Sequence, residues 1–486
     1  MKKFFVTNLI FLLTLNVLIK SVWILGIDRG VQNLLPAEDY GLYYALLNFT
    51  YLFNIILDCG INSFNNRTIA QHNILLSKYF SKIIPLKFLL SLVYCVVLSL
   101  ACVIVGYDST AARLIFWLCI LQILISLMTY LRSNVSALLL FRTDSILSVM
   151  DKFLTIVFCS FCLILPSLRE RFTIMWFIYV QIVSVLITTL VALVVCLHKT
   201  GFLRLNWDKM FMISVLKSGL PYAILALLMS FYNRMDTVML ERILKDGGVQ
   251  ASIYASGFRL VDSVNMIAYL VSVILLPLFA KLIEEKKNVQ EIVKISFHIL
   301  LFLSVSFVLI SLLYGENLMQ IMYNKHVVES EHVYKILCFC FIPVSMTYIF
   351  GTLLTANGSL KRLNFVAAAG MILNISINFL LIPHFEAIGS AFAALTAQTV
   401  TALAQVIIAL RVFHINFSWK YFFKICFFIF MLCLVAILLY NICIVWYFRI
   451  IISLFAFIVV AFLLNIFNIK EIQVYVLNFL RNKKQQ

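Results

Sequence analysis

Charge is what this sequence has least of. Of its 486 residues only 12% are Asp, Glu, Lys or Arg, against about 25% in a soluble globular chain. Half the usual charge cannot cover the surface of a water-soluble particle of this size. Glycine (15) and proline (7) are also few, and no segment alternates strictly between polar and apolar residues. That excludes a transmembrane barrel, whose strands face lumen and lipid in turn. Chemical signatures are missing too: there is no G-x-x-x-x-G-K-[ST] loop to cradle nucleotide phosphates and no H-E-x-x-H zinc helix. No connection between apolar blocks exceeds about 20 residues, too short for a separate catalytic domain. The chain therefore reads as a non-enzyme without catalytic residues, cofactor or metal. Its one acidic-histidine stretch, with His326, Glu329, Glu331 and His332, reads as a solvated loop, since spacing alone supplies no ligand geometry.

What is present is apolar. Hydrophobic residues make up 63% of the chain and mean hydropathy is +1.04. They come in blocks of about 20, the length that crosses a bilayer at 1.5 Å rise per residue. Backbone groups in lipid must be satisfied within their own segment, so the blocks are helices. Fourteen spans are predicted, at about 7–27, 41–61, 83–105, 113–132, 145–165, 174–197, 217–241, 254–280, 295–314, 333–356, 363–382, 388–411, 423–441 and 448–468; twelve is the competing count. The fold class is thus an all-α polytopic membrane protein.

The net charge of +17 sits at segment ends rather than on one soluble face, which excludes a nucleic-acid domain. With both termini cytoplasmic, inner segments collect Lys2, Lys3, Arg67, Lys78, Lys82, Arg142, Arg204, Lys281, Lys286, Lys287, Lys361, Lys470, Lys483 and Lys484, while outer loops hold few basic residues, as the positive-inside rule requires. The twelve cysteines fall in or beside apolar blocks and read as packing. The charged, apolar N-terminus resembles a signal peptide but lacks a small-x-small cleavage site and reads as an uncleaved first helix.

The first and second six-helix blocks resemble each other. Aligning Leu42-Tyr43 with Ile253-Tyr254 also pairs Asn54 with Asn265, and a later helix in each block ends in ILP at Pro166 or LIP at Pro383. Both blocks begin inside, so the repeat is parallel, with its axis along the membrane normal. The expected organisation is a lobe over 1–200, a second over 201–415, and a C-terminal helix pair with a tail over 416–486. Repeat-built transporters place the substrate path at the repeat interface.

Ionisable residues deep in such helices cost at least a few kcal/mol and face a bundle interior or a watery cavity. Lys20 in the first helix, Arg234 and Asp236 in the seventh, and Arg259 and Asp262 in the eighth are of this kind. Arg259 and Asp262 share a helix face and are expected to pair. Arg234 and Asp236 diverge by about 200°, so at least one must reach elsewhere. Two readings stand side by side: a structural ion-pair cluster, or a cationic cavity (Arg234, Arg259, Lys20) for a phosphate or anionic sugar, with Asp236 or Asp262 carrying a coupling ion. Asn48, Asn54, Asn265, Asn374 and Asn378 are polar cavity candidates; bridging between helices is the competing role for each.

Three stretches carry a family resemblance: LLPAEDYGLYYALLNFTYLFNIILDCGINSFNNRTIAQ, NRMDTVMLERIL with SIYASGFRLVDSVNMIAYLVSVILLPLFAKL, and LTANGSLKRLNFVAAAGMILNISINFLLIPHFEAIGSAFAALTAQ. They resemble Wzx-type O-antigen and capsule polysaccharide flippases of the multidrug/oligosaccharidyl-lipid/polysaccharide exporter superfamily. Ser252, where a Gly usually precedes the I-Y pair, is a departure. The resemblance implies two lobes, a cationic cavity and alternating access in a bacterial inner membrane. It further implies an undecaprenyl-pyrophosphate-linked oligosaccharide as substrate, and a polysaccharide polymerase and chain-length regulator as partners. A drug or metabolite antiporter of the same superfamily is the runner-up, and an integral-membrane polymerase or acyltransferase comes third.

Overall fold

The computed structural model describes residues 14–16, 18–62, 65, 69, 76–138, 140–200, 205–415, 419–441, 445–464 and 466. The expectations on Lys2, Lys3, Arg67, Arg204, Lys470, Lys483 and Lys484, and the outer ends of the first and last spans, lie outside these residues. The described chain is helical almost throughout. Eleven helices are long and apolar enough to cross a membrane, and one of them, Leu360–Phe413, is broken at Glu386. With the irregular helices at 14–34 and 37–62, the described segments number fourteen.

We label them α1 (14–34), α2 (37–62), α3 (Leu76–Val105), α4 (Ser109–Ala137), α5 (Phe141–Ile164), α6 (Ile174–Thr200) and α7 (Lys209–Ile243). Then follow α8 (Gly247–Glu284), α9 (Gln290–Met322), α10 (Val327–Ala356), α11 (360–385), α12 (387–413), α13 (Trp419–Tyr440) and α14 (Trp446–Leu463). Each covers the core of one predicted span. The multi-pass all-helical architecture follows from apolar length alone.

The departures from straight helix are local and have causes. In α1 a π-turn occupies Trp23–Asp28 before α-helix resumes at Arg29–Leu34. The first helix therefore continues past the expected end at residue 27. The wider turn shifts the phase of everything after it, a device common at functional sites. α2 turns at 53–54 and again at 59–60, where Cys59 (φ 45°) and Gly60 (φ 78°) are left-handed. α5 stops at Leu165, because Pro166 has no N–H to continue the ladder. Pro383 precedes the break at Glu386 (φ 50°, ψ −132°). Gln250 spans that break: its amide donates to the Glu386 carboxylate at 2.8 Å, and its carbonyl accepts from the Ala387 N–H at 3.4 Å.

Two compact units emerge. The first holds the chain through Arg259 together with Met371–Ser390; the second holds Leu260–Gly370 and the chain from Ala391 onward. Within the first, one core joins Trp23, Tyr40, Tyr43, Phe49, Leu118, Phe177, Ile178 and neighbours from α1 to α8. Trp23 stacks on Phe177 with centroids 5.7 Å apart, and Tyr43 meets the same ring edge-on. Within the second unit, α9 packs against α13 and α14 through Leu301, Phe302, Val305, Phe428, Leu432 and Phe457. Outward faces stay apolar, as on Phe88, Val103, Ile104, Phe365, Phe423 and Phe455, all well exposed. Lipid, not water, is the solvent such a surface fits.

Candidate functional site

Of the charges predicted from α7 and α8, Arg234, Asp236 and Arg259 lie in the first unit and Asp262 in the second. Arg234 and Asp236 diverge as their spacing dictates. Arg234 reaches α2, where its guanidinium donates to Asn48 Oδ1 at 2.8 Å and lies 4.5 Å from the centroid of the Tyr51 ring. Asn48 in turn donates to Thr237 Oγ1 at 2.9 Å. Among the described residues Arg234 has no carboxylate partner: an amide oxygen and an aromatic face hold the cation. Such neighbours orient a guanidinium without neutralising it.

Asp236 shows the complementary pattern. It is 3% exposed. Its Oδ1 accepts from Asn374 at 3.0 Å and from Asn378 at 2.8 Å, and its Oδ2 accepts from the Tyr254 hydroxyl at 3.0 Å. Among the described residues no cation pairs with it. Asn374 and Asn378 sit one turn apart on α11, so both amides present on one face. Three neutral donors satisfy the carboxylate oxygens and leave the net charge uncancelled.

Arg234 and Asp236 line one small cavity with Tyr44, Asn48, Asn233, Thr237, Tyr254 and Phe258, with a volume of about 10 Å³. Sites that enclose drug-sized ligands run to about 300–1,000 Å³. The space as it stands is about that of one water molecule, so the site must widen before it takes a phosphate or a sugar.

Arg259 has a partner, and it is not the expected one. Its Nε lies 2.7 Å from Asp28 Oδ2, its Nη2 donates to the Tyr40 hydroxyl at 3.3 Å, and its guanidinium carbon sits 4.8 Å from the Tyr44 ring centroid. Tyr40 donates onward to Asp28 Oδ2 at 3.0 Å. The expectation of an Arg259–Asp262 pair is therefore corrected: Asp262 is exposed, and the buried Asp28 of α1 takes the arginine. A buried guanidinium is better matched by a desolvated carboxylate held by a tyrosine than by one three residues along its own helix. One turn beyond Asp28, the amide of Gln32 donates to Ser252 and Ser256 of α8 at 2.8–3.2 Å.

The remaining candidates lie elsewhere. Lys20 is half-buried on α1 and does not line the cavity. Asn54 sits in the turn of α2, before Ile55–Asp58. Asn265 lies in the second unit, with its side-chain oxygen unpaired. Two groups escaped the sequence reading. Asp28 looked like the flank of a helix ending at 27. Lys87, 4% exposed, donates to the Leu57 carbonyl (2.9 Å), to Asp58 Oδ1 (3.1 Å) and to Ser126 Oγ (3.3 Å). Among the described residues no group of three or more His, Cys, Asp or Glu side chains is placed to hold a metal ion.

An arginine and an aspartate, neither in an ion pair among the described residues, thus line one cavity of an apolar many-helix bundle, and solved structures share the fold of that bundle. The chain superposes on the structure described as lipid II flippase MurJ, inward closed conformation, with a TM-score of 0.71 at 14% identity, covering 94% of this chain and 97% of that one. An inward-facing multidrug resistance MATE family transporter of the MOP superfamily gives 0.63 at 13% identity, covering 81% and 94%. A MOP superfamily transporter from Pyrococcus furiosus, described as having a binding pocket of reverse polarity, gives 0.57 at 12%, covering 84% and 95%. No curated relative matches significantly. The family described as polysaccharide biosynthesis protein matches residues 6–283, and the MatE family matches residues 221–380. The chain belongs to the polysaccharide biosynthesis protein family and shares the fold of these solved structures.

Proposed function

We propose that this protein flips an undecaprenyl-pyrophosphate-linked oligosaccharide repeat unit from the cytoplasmic to the periplasmic leaflet of a bacterial inner membrane by alternating access. The observation that carries this reading is Arg234: a guanidinium in a membrane cavity, oriented by Asn48 and Tyr51 and lacking a carboxylate partner among the described residues. Such a cation calls for an anion, and a pyrophosphate presents the oxygens a guanidinium binds in bidentate fashion. Family membership over residues 6–283 supports a saccharide cargo. Tyr44, Tyr254 and Phe258 supply apolar ring faces on the same cavity wall.

Asp236 is the carrier of the coupling ion in this reading. A carboxylate that accepts three neutral hydrogen bonds takes up a proton or a small cation without breaking an existing ion pair. The lobes would be 1–200 and 201–415, with 416–486 as an added pair and tail, and both termini would be cytoplasmic. A polysaccharide polymerase and chain-length regulator would act downstream. A clean deletion tests the reading: lipid-linked units should accumulate on the cytoplasmic leaflet with glycosyl transfer intact and surface polymer lost. Normal surface polymer in a strain without a second flippase would end it.

The second reading, a drug or metabolite antiporter, draws on the match of the MatE family to residues 221–380. It predicts that Asp236→Asn abolishes export of organic cations while Arg234→Ala spares it.

A further inference from the structure

Two glycine contacts mark α2, one near each end. Gly41 meets α8 so closely that a Cβ there would overlap the Gly248 carbonyl, and a Cβ on Gly248 would lie 2.9 Å from the Glu38 oxygen. At the far end Gly60 meets α7: its Cβ would lie 2.9 Å from both Cα and O of Gly219, and a Cβ on Gly219 would overlap the Cys59 carbonyl. Gly41 and Gly60 are 19 positions apart, roughly 28 Å at helical rise. That is close to the thickness of a bilayer core, about 30 Å. The turn at 53–54 lies between them.

The Gly60 end carries further ties. Lys87 binds the Leu57 carbonyl and Asp58, closing the last turn of α2. Its charge also suits the negative end of that turn. Gly60 can then adopt its left-handed backbone (φ 78°) against α7. Immediately before α7, Asp208 accepts from Lys82 of α3 at 2.6 Å and caps the helix by accepting from the Phe211 N–H at 3.1 Å. The Phe211 ring lies 5.1 Å from the Lys82 ammonium and meets Tyr79 edge-on at 4.9 Å. The Asn206 N–H donates to the Ser81 carbonyl at 3.1 Å. The Lys82 hydrogen bond, with that of the Phe211 amide, holds the Asp208 carboxyl below its ordinary value.

We propose that Lys82 and Asp208 form the latch of an inner gate: the ion pair holds the Gly60–Gly219 contact shut, and its release opens that end of the α2–α7 seam while the Gly41–Gly248 contact stays closed. Lys82 and Asp208 act on the path to the cavity rather than on the cargo. The 53–54 turn lets one end of α2 move without the other. This rests on the transporter reading for its purpose, but the gate can be measured without any substrate.

The probe is a membrane-impermeant maleimide acting on Asn233→Cys, since Asn233 is exposed and lines the cavity. Modification is read by mass spectrometry on the peptide carrying residue 233, which separates it from the native cysteines. In the full-length protein, in membranes of each orientation, Lys82→Glu should raise labelling about tenfold from the side bearing Asp208 and leave the other side unchanged. The reversed pair, Lys82→Glu with Asp208→Lys, should return labelling to the starting rate. Unchanged labelling in Lys82→Glu, or equal labelling in the reversed pair and the single variant, would each overturn the latch. If the latch behaves as described and no lipid-linked saccharide moves, the cargo assignment fails and the gate stands.

Discussion

Arg234 and Arg259 look alike in the sequence, each an arginine deep in an apolar helix, and their surroundings give them different tasks. Arg259 is committed to Asp28, so removing either partner leaves a buried charge stranded, which costs about 3–5 kcal/mol. Asp28→Ala or Arg259→Ala alone should therefore lower the amount of folded protein, and the double replacement should recover it. Thermal unfolding in detergent checks this; equal stability of single and double variants would dissolve the pair. Arg234 strands no charge when removed, because its partners are an amide and a ring; the cost is the buried Asn48 oxygen left without its donor, about 1–3 kcal/mol. Arg234→Ala should lower abundance less than Asp28→Ala or Arg259→Ala does and cut flipping at least tenfold, in line with the loss of a charged hydrogen bond of about 1.5–3 kcal/mol. Arg234→Lys should retain part of the rate, as a point charge replaces part of a bidentate contact. None of this distinction was legible in the sequence. The three-residue spacing of Arg259 and Asp262 satisfied the local rule for a helix pair, but the partner came from another helix. Asp28 was hidden because the π-turn carries α1 beyond the point where its apolar run ends.

Helices were the legible elements, since a run of about 20 apolar residues leaves the backbone no other choice in lipid. Breaks within them were legible only where proline announced them, at Pro166 and Pro383. The turn of α2 at 53–54 and the left-handed Cys59 carry no such mark, and only Gly60 hints at them. The pairing of Asn374 with Asn378 at helical spacing was visible as a shared face; their convergence on Asp236 was not, because it depends on how α7 and α11 pack. The junction of α11 and α12 offers a test at this scale. Gln250→Ala removes a donor to the exposed Glu386 carboxylate and the acceptor for the buried Ala387 N–H, and leaving that buried N–H without a partner costs about 1–3 kcal/mol. The variant should unfold at a lower temperature, with the helical circular dichroism of the folded state unchanged. An unaltered midpoint would mean the junction holds its shape without Gln250.

For the molecule as a whole, basic residues at alternate segment ends give an orientation that labelling can verify. Cysteines placed in the 198–210 and 281–294 loops should react only from the cytoplasmic side; reaction from the periplasm would invert the map, because Lys281, Lys286 and Lys287 anchor it. The chain belongs to the polysaccharide biosynthesis protein family and shares the fold of the MurJ and MATE structures, and Arg234 and Asp236 line one cavity. Cargo identity is the central claim, and reconstitution addresses it without the cell's other enzymes. Purified protein in liposomes should carry a fluorescent undecaprenyl-pyrophosphate-linked oligosaccharide from one leaflet to the other, as read by a quencher confined to the outside, and the Arg234→Ala protein should not. Equal movement with wild-type and Arg234→Ala protein, or movement of organic cations with none of the lipid-linked saccharide, would contradict it.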